Sequence, residues 1–104
     1  MPFGLKQNQI NAINSIFKEY NAIERVIIYG SRAKGTYKPG SDIDLVVEGN
    51  DLTFSELMSV ENKLDDLLLP YKIDLSKKTD ISSEELLKHI QRVGKVFYEK
   101  NKEY

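Results

Sequence analysis

Two apolar segments joined by a short basic connection constrain the fold of this chain most. "RVIIYG" (residues 25–30) and "DIDLVV" (residues 42–47) are rich in β-branched residues, which favours strands. The connection between them contains "SRAK", a predicted helical turn, and a predicted reverse turn over residues 37–40. Successive parallel strands need a crossover of about a dozen residues or more. This shorter connection therefore predicts a mixed sheet over a purely parallel one.

Helical and strand patterns alternate along the whole chain. Two of the helical segments begin with a capping-box pattern, Thr53 with Glu56 and Ser82 with Glu85. The resulting order α-β-α-β-α-β-α-β predicts an α/β (α+β) fold, a small mixed sheet with helices packed on it. The predicted segments are a helix over residues 5–20, a strand over 25–30, a helical turn over 31–34, a strand over 42–47, a helix over 53–68, a strand over 71–76, a helix from Ser82 to Gly94 and a strand over 95–99.

The composition limits the classes of function. With 104 residues, 40% of them hydrophobic, the chain is expected to form one globular domain over residues 1–104. A net charge of −1 provides no general attraction for nucleic acid or an anionic membrane. The absence of cysteine excludes a disulfide scaffold, a thiolate zinc site and a cysteine nucleophile. No signal-peptide pattern or long apolar stretch is visible, so we expect a cytoplasmic protein.

Three aspartates are predicted to project from one face of the sheet. Side chains alternate across a strand, so Asp42 and Asp44 share one face and the intervening apolar residues share the other. In the next strand, Asp74 alternates in the same way with Ile73 and Leu75. If the apolar faces of both strands meet helices and the strands are neighbours, the three carboxylates lie close together.

Such a group of carboxylates favours divalent cations. Two carboxylates about 5 Å apart repel by roughly 3 kcal/mol at an effective dielectric constant of about 20. Oxygen ligands without Cys or His favour Mg²⁺ or Mn²⁺ over zinc. Two such ions about 4 Å apart are the apparatus of phosphoryl and nucleotidyl transfer. The alternative is that Asp42 and Asp44 are solvated residues on an exposed face, where water screens their repulsion.

The connection that precedes these aspartates favours a phosphate ligand. Gly30 leaves the backbone N–H groups that follow it accessible, and the Ser31 hydroxyl adds a donor. Arg32, Lys34 and Lys38 give the connection a local positive charge. We therefore predict Gly30, Ser31, Arg32 and Lys34 as nucleotide-binding residues. The alternative is a solvated basic turn.

Together these residues resemble the signature of the minimal nucleotidyltransferases of the polymerase-beta superfamily. That signature is Gly-Ser, ten residues and Asp-x-Asp; here Gly30-Ser31 is followed by residues 32–41 and then by "DID" at 42–44. The third carboxylate of the family, on a later strand, matches Asp74 in "KIDLS". The resemblance covers nearly the whole chain. It implies a polymerase-beta-like fold, with helices packed on one face of a mixed sheet and the active site on the other.

The resemblance also implies a mechanism. Asp42 and Asp44 are expected to bind two Mg²⁺ ions, one of which enters with the β- and γ-phosphates of ATP. Asp74 is expected to bind the second ion and to help deprotonate an acceptor hydroxyl, which attacks the α-phosphate in line while pyrophosphate leaves. Gly30 and Ser31 are expected to position the triphosphate.

The acceptor is predicted from the family alone. Stand-alone proteins of this kind resemble the nucleotidyltransferase half of bacterial two-component pairs, whose other half is a helical HEPN-domain protein. In many pairs that partner is an RNase toxin, and the nucleotidyltransferase neutralises it by transferring AMP to a tyrosine. Two alternatives remain at this point, a non-catalytic antitoxin subunit that inhibits its partner by contact, and nucleotide transfer to a small molecule such as an aminoglycoside.

Two further side chains could attract a catalytic interpretation. His89, the only histidine, lies in the last predicted helix, and we interpret it as a surface or half-buried helix residue. Tyr37 lies beside the predicted phosphate loop, and we interpret it as a turn residue, with a nucleotide contact as the alternative.

Overall fold

The structure, a computed structural model that describes residues 1–100, contains four α-helices and four strands in alternation within those residues. Two single 3-10 turns, Pro2–Gly4 and Lys78–Asp80, flank this pattern near its start and before the last helix. No helix in residues 1–100 combines the length and the apolarity needed to cross a membrane. In chain order the elements are α1 (Gln7–Lys18), β1 (Arg25–Tyr29), α2 (Gly30–Lys34), β2 (Ile43–Glu48), α3 (Phe54–Asp65), β3 (Ile73–Lys77), α4 (Glu84–Val93) and β4 (Lys95–Glu99).

The four strands form one mixed sheet in the order β3-β2-β1-β4. The short connection between β1 and β2 joins antiparallel neighbours, as predicted, and β1 is also antiparallel to β4. β2 and β3 are parallel, and α3 lies in the crossover between them, which is the connection that a parallel pair requires. The predicted fold class, a small mixed sheet with packed helices, is confirmed.

The main core lies between one face of this sheet and helices α1 and α3. Ile43, Leu45 and Val47 of β2 point into this core and are fully buried. They pack with Phe17 of α1 and Val60 of α3, which are also fully buried. Burial of these apolar side chains contributes roughly 25 cal/mol per Å² and holds β2 in its register.

The opposite face of the sheet carries a second, smaller core, which corrects the expectation that the helices lie on one face only. Ile27 and Tyr29 of β1 and Val46 of β2 point to this side and pack against Ile90 of α4. The amphipathic pattern of α4 needs one apolar partner surface, and this face of β1 supplies it. Helix α4 therefore lies on the same side of the sheet as Asp44, which alternates with the core residues of β2.

The ends of two helices test the predicted capping patterns. Thr53 and Glu56 form the expected capping box, in which each side chain accepts a hydrogen bond of 3.0 Å from the other's backbone N–H. Helix α4 is capped by Ser83 rather than by the expected Ser82, because the backbone remains extended at Ser83 and becomes helical only after it. Helix α3 ends before Leu68, whose φ of 53° lies outside the helical range.

Candidate active site

Neighbouring strands bring the three predicted aspartates to the same face of the sheet. Asp44 of β2 and Asp74 of β3 are paired residues in the parallel register. Asp42 lies two residues before Asp44, just outside the start of β2, and is near enough for its charge to act on the Asp44 carboxylate. Asp44 is half-buried, whereas Asp42 and Asp74 are exposed. The adjacency of β2 and β3, on which the predicted grouping depended, is present.

Burial and the other two aspartates affect the pKa of Asp44. Burial, and then the negative charges of Asp74 and Asp42, raise the pKa of the Asp44 carboxyl above its usual range. His89 and Lys72 act in the opposite direction but do not offset the rise. None of the ion pairs formed within residues 1–100 involves any of the three carboxylates. The site therefore holds negative charge that the described side chains compensate only in part.

These three aspartates are the residues that could hold a metal ion. Carboxylate oxygens are hard donors that suit Mg²⁺, and a group of them whose charge is only partly compensated favours a cation. Across residues 1–100, however, no three Asp, Glu, His or Cys side chains lie close enough together to form a metal site by themselves. A metal at this position would therefore need ligands in addition to the His, Cys, Asp and Glu side chains of residues 1–100.

Helix α4 forms one wall beside the aspartates. Tyr29, the register partner of Asp44 on β1, is buried, and its hydroxyl has a raised pKa because of burial and then the charges of Asp44 and Asp74. The ring of His89 stands edge-on to the Tyr29 ring, with 6.2 Å between the ring centroids. His89 is half-buried, as interpreted from the sequence, but it faces the site rather than open solvent. The sequence did not indicate this position because the helical pattern does not specify which face of the sheet α4 covers.

Gly30 lies against the Asp44 carboxylate. Helix α2 begins at Gly30, directly after β1, and the glycine has a φ of +72°, in the region that favours glycine. A Cβ atom added at Gly30 would lie closer than 3.0 Å to Oδ2 of Asp44. Ser31 follows in the first turn of α2 and is partly exposed. The Gly-Ser pair thus has a geometric reason, since only a residue without a Cβ lets α2 start so close to the carboxylate.

The structure corrects the predicted role of Arg32 in nucleotide binding. Arg32 is only 2% exposed, because its guanidinium lies inside the protein and donates hydrogen bonds to the carbonyl oxygens of Ser41 and Phe3. Its N–H groups are therefore directed at the backbone instead of a ligand. Lys34, at the end of α2, is exposed, so it remains accessible to a bound nucleotide.

Comparison with known proteins identifies a family and two relatives of this chain. A family model described as "Polymerase beta, Nucleotidyltransferase" matches residues 11–103. A Methanocaldococcus jannaschii protein named "Putative protein adenylyltransferase MJ1217" is 34% identical over 77 residues, which cover 73% of this chain and 78% of that protein. A second protein of the same organism and the same kind of name, MJ0604, is also 34% identical over 77 residues, covering 74% of this chain and 69% of that protein.

Solved structures share the fold. A toxin–antitoxin structure with AMP-PNP matches with a TM-score of 0.69 and 23% identity, over 93% of this chain and 76% of that chain. A structure of a tri-AMPylated Shewanella oneidensis HEPN toxin in complex with an MNT antitoxin matches with a TM-score of 0.67 and 20% identity, over 92% of this chain and 74% of that chain. At these identities the likeness establishes the architecture.

Proposed function

The chain belongs to the polymerase beta nucleotidyltransferase family, and from this premise we propose that it transfers AMP from ATP to a tyrosine of a HEPN-domain toxin and so acts as an antitoxin. That the chain is a nucleotidyltransferase follows from the family itself. The observation that carries the proposal is the pairing of Asp44 with Asp74 beside Gly30, with Asp42 two residues away.

Magnesium fits the donor set at this position. Asp42, Asp44 and Asp74 offer only carboxylate oxygens, and the pKa of Asp44 is raised by burial and then by repulsion from Asp74 and Asp42, which a bound cation would relieve. Since the described side chains do not complete a metal site alone, nucleotide phosphates would supply further oxygen ligands. When bound, Mg²⁺ would supply charge stabilisation to the phosphates of the transition state.

Residues of the chain would bind the triphosphate and accept the proton of the acceptor. Gly30 and Ser31 would hold the triphosphate through backbone N–H groups and the Ser31 hydroxyl, and Lys34 is accessible for a phosphate contact. Asp74, exposed at the edge of the group, would accept the proton of the acceptor hydroxyl. The acceptor oxygen then forms the bond to the α-phosphorus, the bond from that phosphorus to the bridging oxygen breaks, and pyrophosphate leaves.

The HEPN acceptor is supported by the relatives. Two curated relatives carry the name of protein adenylyltransferases, and a structure of the same fold contains an AMPylated HEPN toxin. Asp42 and Asp74 are exposed, so a large acceptor could reach the carboxylates from solvent. A tyrosine hydroxyl of a partner chain fits an open site of this kind.

Transfer of label from ATP tests this function. The chain would be incubated with Mg²⁺, a HEPN-domain protein from the same source organism, and ATP labelled at either the α- or the γ-phosphate. We expect the partner to acquire the α-label and not the γ-label, and the Asp42→Asn variant to abolish labelling. The Asp51→Asn variant is the matched control, because Asp51 is exposed in a turn away from the site. A tight complex without labelling would support the contact antitoxin instead. In a parallel reaction with an aminoglycoside in place of the HEPN-domain protein, α-label on the aminoglycoside would support small-molecule transfer.

A further inference from the structure

Arg32 is the one charged side chain in the buried part of residues 1–100. Its Nε and Nη2 groups both donate to the carbonyl oxygen of Ser41, at 3.1 and 2.8 Å. Its Nη1 group donates to the carbonyl oxygen of Phe3 at 2.9 Å and makes a longer contact of 3.5 Å with that of Gly4. A buried guanidinium bonded to carbonyls instead of a carboxylate is costly unless its donors are satisfied, so this arrangement needs all of these partners.

The N–H, the hydroxyl and the carbonyl of Ser41 all form hydrogen bonds within the protein. The Ser41 N–H donates to the Lys38 carbonyl at 3.0 Å, and the Ser41 hydroxyl accepts from the Lys38 N–H at 2.8 Å. The two Arg32 donors fix the third polar group of Ser41. Since Ser41 directly precedes Asp42, Arg32 determines the orientation of the peptide that enters Asp42.

The other side of Asp42 is fixed by the sheet. The Ile43 N–H donates to the Lys72 carbonyl at 2.8 Å, which begins the pairing of β2 with β3. Asp42 itself lies outside the strand and is exposed. The backbone on both sides of Asp42 is therefore fixed, on one side by β3 and on the other by Arg32.

Aromatic rings enclose the guanidinium. The central carbon of the Arg32 guanidinium lies 4.5 Å from the centroid of the Tyr71 ring and 5.3 Å from that of Tyr37, within the range of cation–π interactions. Tyr71 lies two residues before β3, the strand that carries Asp74. Arg32 thus connects the start of β3, the segment before β2 and the turn at residues 2–4.

The turn at residues 2–4 is itself strained. Phe3 and Gly4 have φ values of 57° and 72°, and the left-handed conformation is unfavourable for a residue such as phenylalanine. A Cβ added at Gly4 would lie closer than 3.0 Å to the Tyr37 ring. The hydrogen bond from Arg32 to the Phe3 carbonyl stabilises this strained turn, and the turn completes the enclosure around the guanidinium.

We propose that Arg32 is a positioning residue for the reaction, which holds Asp42 in its metal-binding orientation through Ser41 and does not contact the nucleotide. This inference rests on the proposed function of the aspartates. Lysine cannot replace arginine in this role, because an ammonium lacks the planar fork that gives two donors to one carbonyl. Substitution of residues that orient metal ligands typically lowers metal affinity or activity about 10- to 100-fold.

The test compares Arg32→Lys with Arg92→Lys, a control at an exposed position in the last turn of α4. Hydrogen exchange of the segment 38–43 is measured without ligands, and transfer is measured over a range of Mg²⁺ concentrations well below the melting temperature. We expect Arg32→Lys to exchange at least about tenfold faster there and to need about tenfold more Mg²⁺ for half-maximal transfer. The control should match the wild type in both.

Other outcomes would overturn the inference. Unchanged exchange would show that Arg32 does not hold Ser41, and faster exchange with unchanged Mg²⁺ dependence would show a structural role only.

If Arg32→Lys does not fold, Tyr71→Leu and Tyr71→Phe replace it, since only the leucine removes the ring from the guanidinium. A higher Mg²⁺ requirement in Tyr71→Leu alone supports the inference, and equal requirements refute it. A wild type without transfer removes the proposed function, whereas an active wild type with an equally active Arg32→Lys removes only the role of Arg32.

Discussion

Replacement of Asp44 by asparagine should stabilise the protein while it removes activity. Asp44→Asn keeps the shape of the side chain and deletes its charge. In the folded protein that charge is half-buried and lies beside the paired Asp74 and the nearby Asp42. A residue retained for function at a cost in stability is expected to behave in this way.

The magnitude follows from the register. Paired residues on neighbouring strands are about 4.8 Å apart, so two unit charges there repel by about 3 kcal/mol at an effective dielectric constant of about 20, and by about 1 kcal/mol in water. Because Asp74 is exposed, the value lies near the aqueous limit. We therefore expect Asp44→Asn to raise the free energy of unfolding by about 1 kcal/mol at neutral pH, and the melting temperature by about 4–8 °C.

The pH dependence gives this gain a sign that can be checked. The folded-state pKa of Asp44 is raised, so between the ordinary and the raised pKa the folded protein binds more protons than the unfolded chain. Its stability therefore falls as pH rises through that window, and the cost is fully present above it. Below about pH 4, the ordinary range of an aspartate, Asp44 is protonated and the advantage of asparagine should disappear.

The assay is urea unfolding with EDTA present, at neutral pH and at pH 3.5, for the wild type, Asp44→Asn and the exposed control Asp51→Asn. The control should not change stability by more than about 0.5 kcal/mol. The reasoning fails if Asp44→Asn is no more stable than the wild type at neutral pH, or if its advantage persists undiminished at pH 3.5.

Two further substitutions test the local geometry. Gly30→Ala should lower the free energy of unfolding by about 1–3 kcal/mol and reduce transfer, because the added Cβ would collide with the Asp44 carboxylate and the residue has a positive φ. The control Gly40→Ala, with open space around it, should change neither quantity. Similar denaturation midpoints for the two variants would contradict the close approach of Gly30 to Asp44. Thr53→Ala should lower the melting temperature through a loss of about 1 kcal/mol from the α3 cap; a drop no larger than that of Ser55→Ala, in the exposed first turn of the same helix, would show that the capping box contributes little.

Much of the architecture could be predicted from local patterns. The β-branched runs, the capping box at Thr53 and the short connection after Gly30 each determine a feature of the backbone, and together they predicted a mixed sheet. The location of α4 could not be predicted from its own pattern, because an amphipathic helix shows that one side is buried but not against what. A signal for its location existed in "RVIIY", since a strand that is apolar on both faces is typical of a strand covered on both faces.

The candidate site was predicted unevenly. The alternation in β2 and β3 placed Asp44 and Asp74 on one face, because the period of the side chains along a strand is a local property. Arg32 was assigned to the nucleotide because a cation in a basic loop normally faces solvent. Its burial depends on the carbonyl groups of Phe3 and Ser41, and Phe3 is far from both Arg32 and Ser41 along the chain. No local sequence pattern can therefore predict that these three residues come together in the fold.

The most direct test of the central claim is mass spectrometry of a HEPN-domain partner after incubation with this chain, ATP and Mg²⁺. We predict a mass increase of one AMP or more, located on tyrosine by fragmentation, and lost when Asp42 or Asp44 is replaced by asparagine. An unmodified partner in a stable complex with the wild-type chain, or equal modification by the wild type and both variants, would contradict the account.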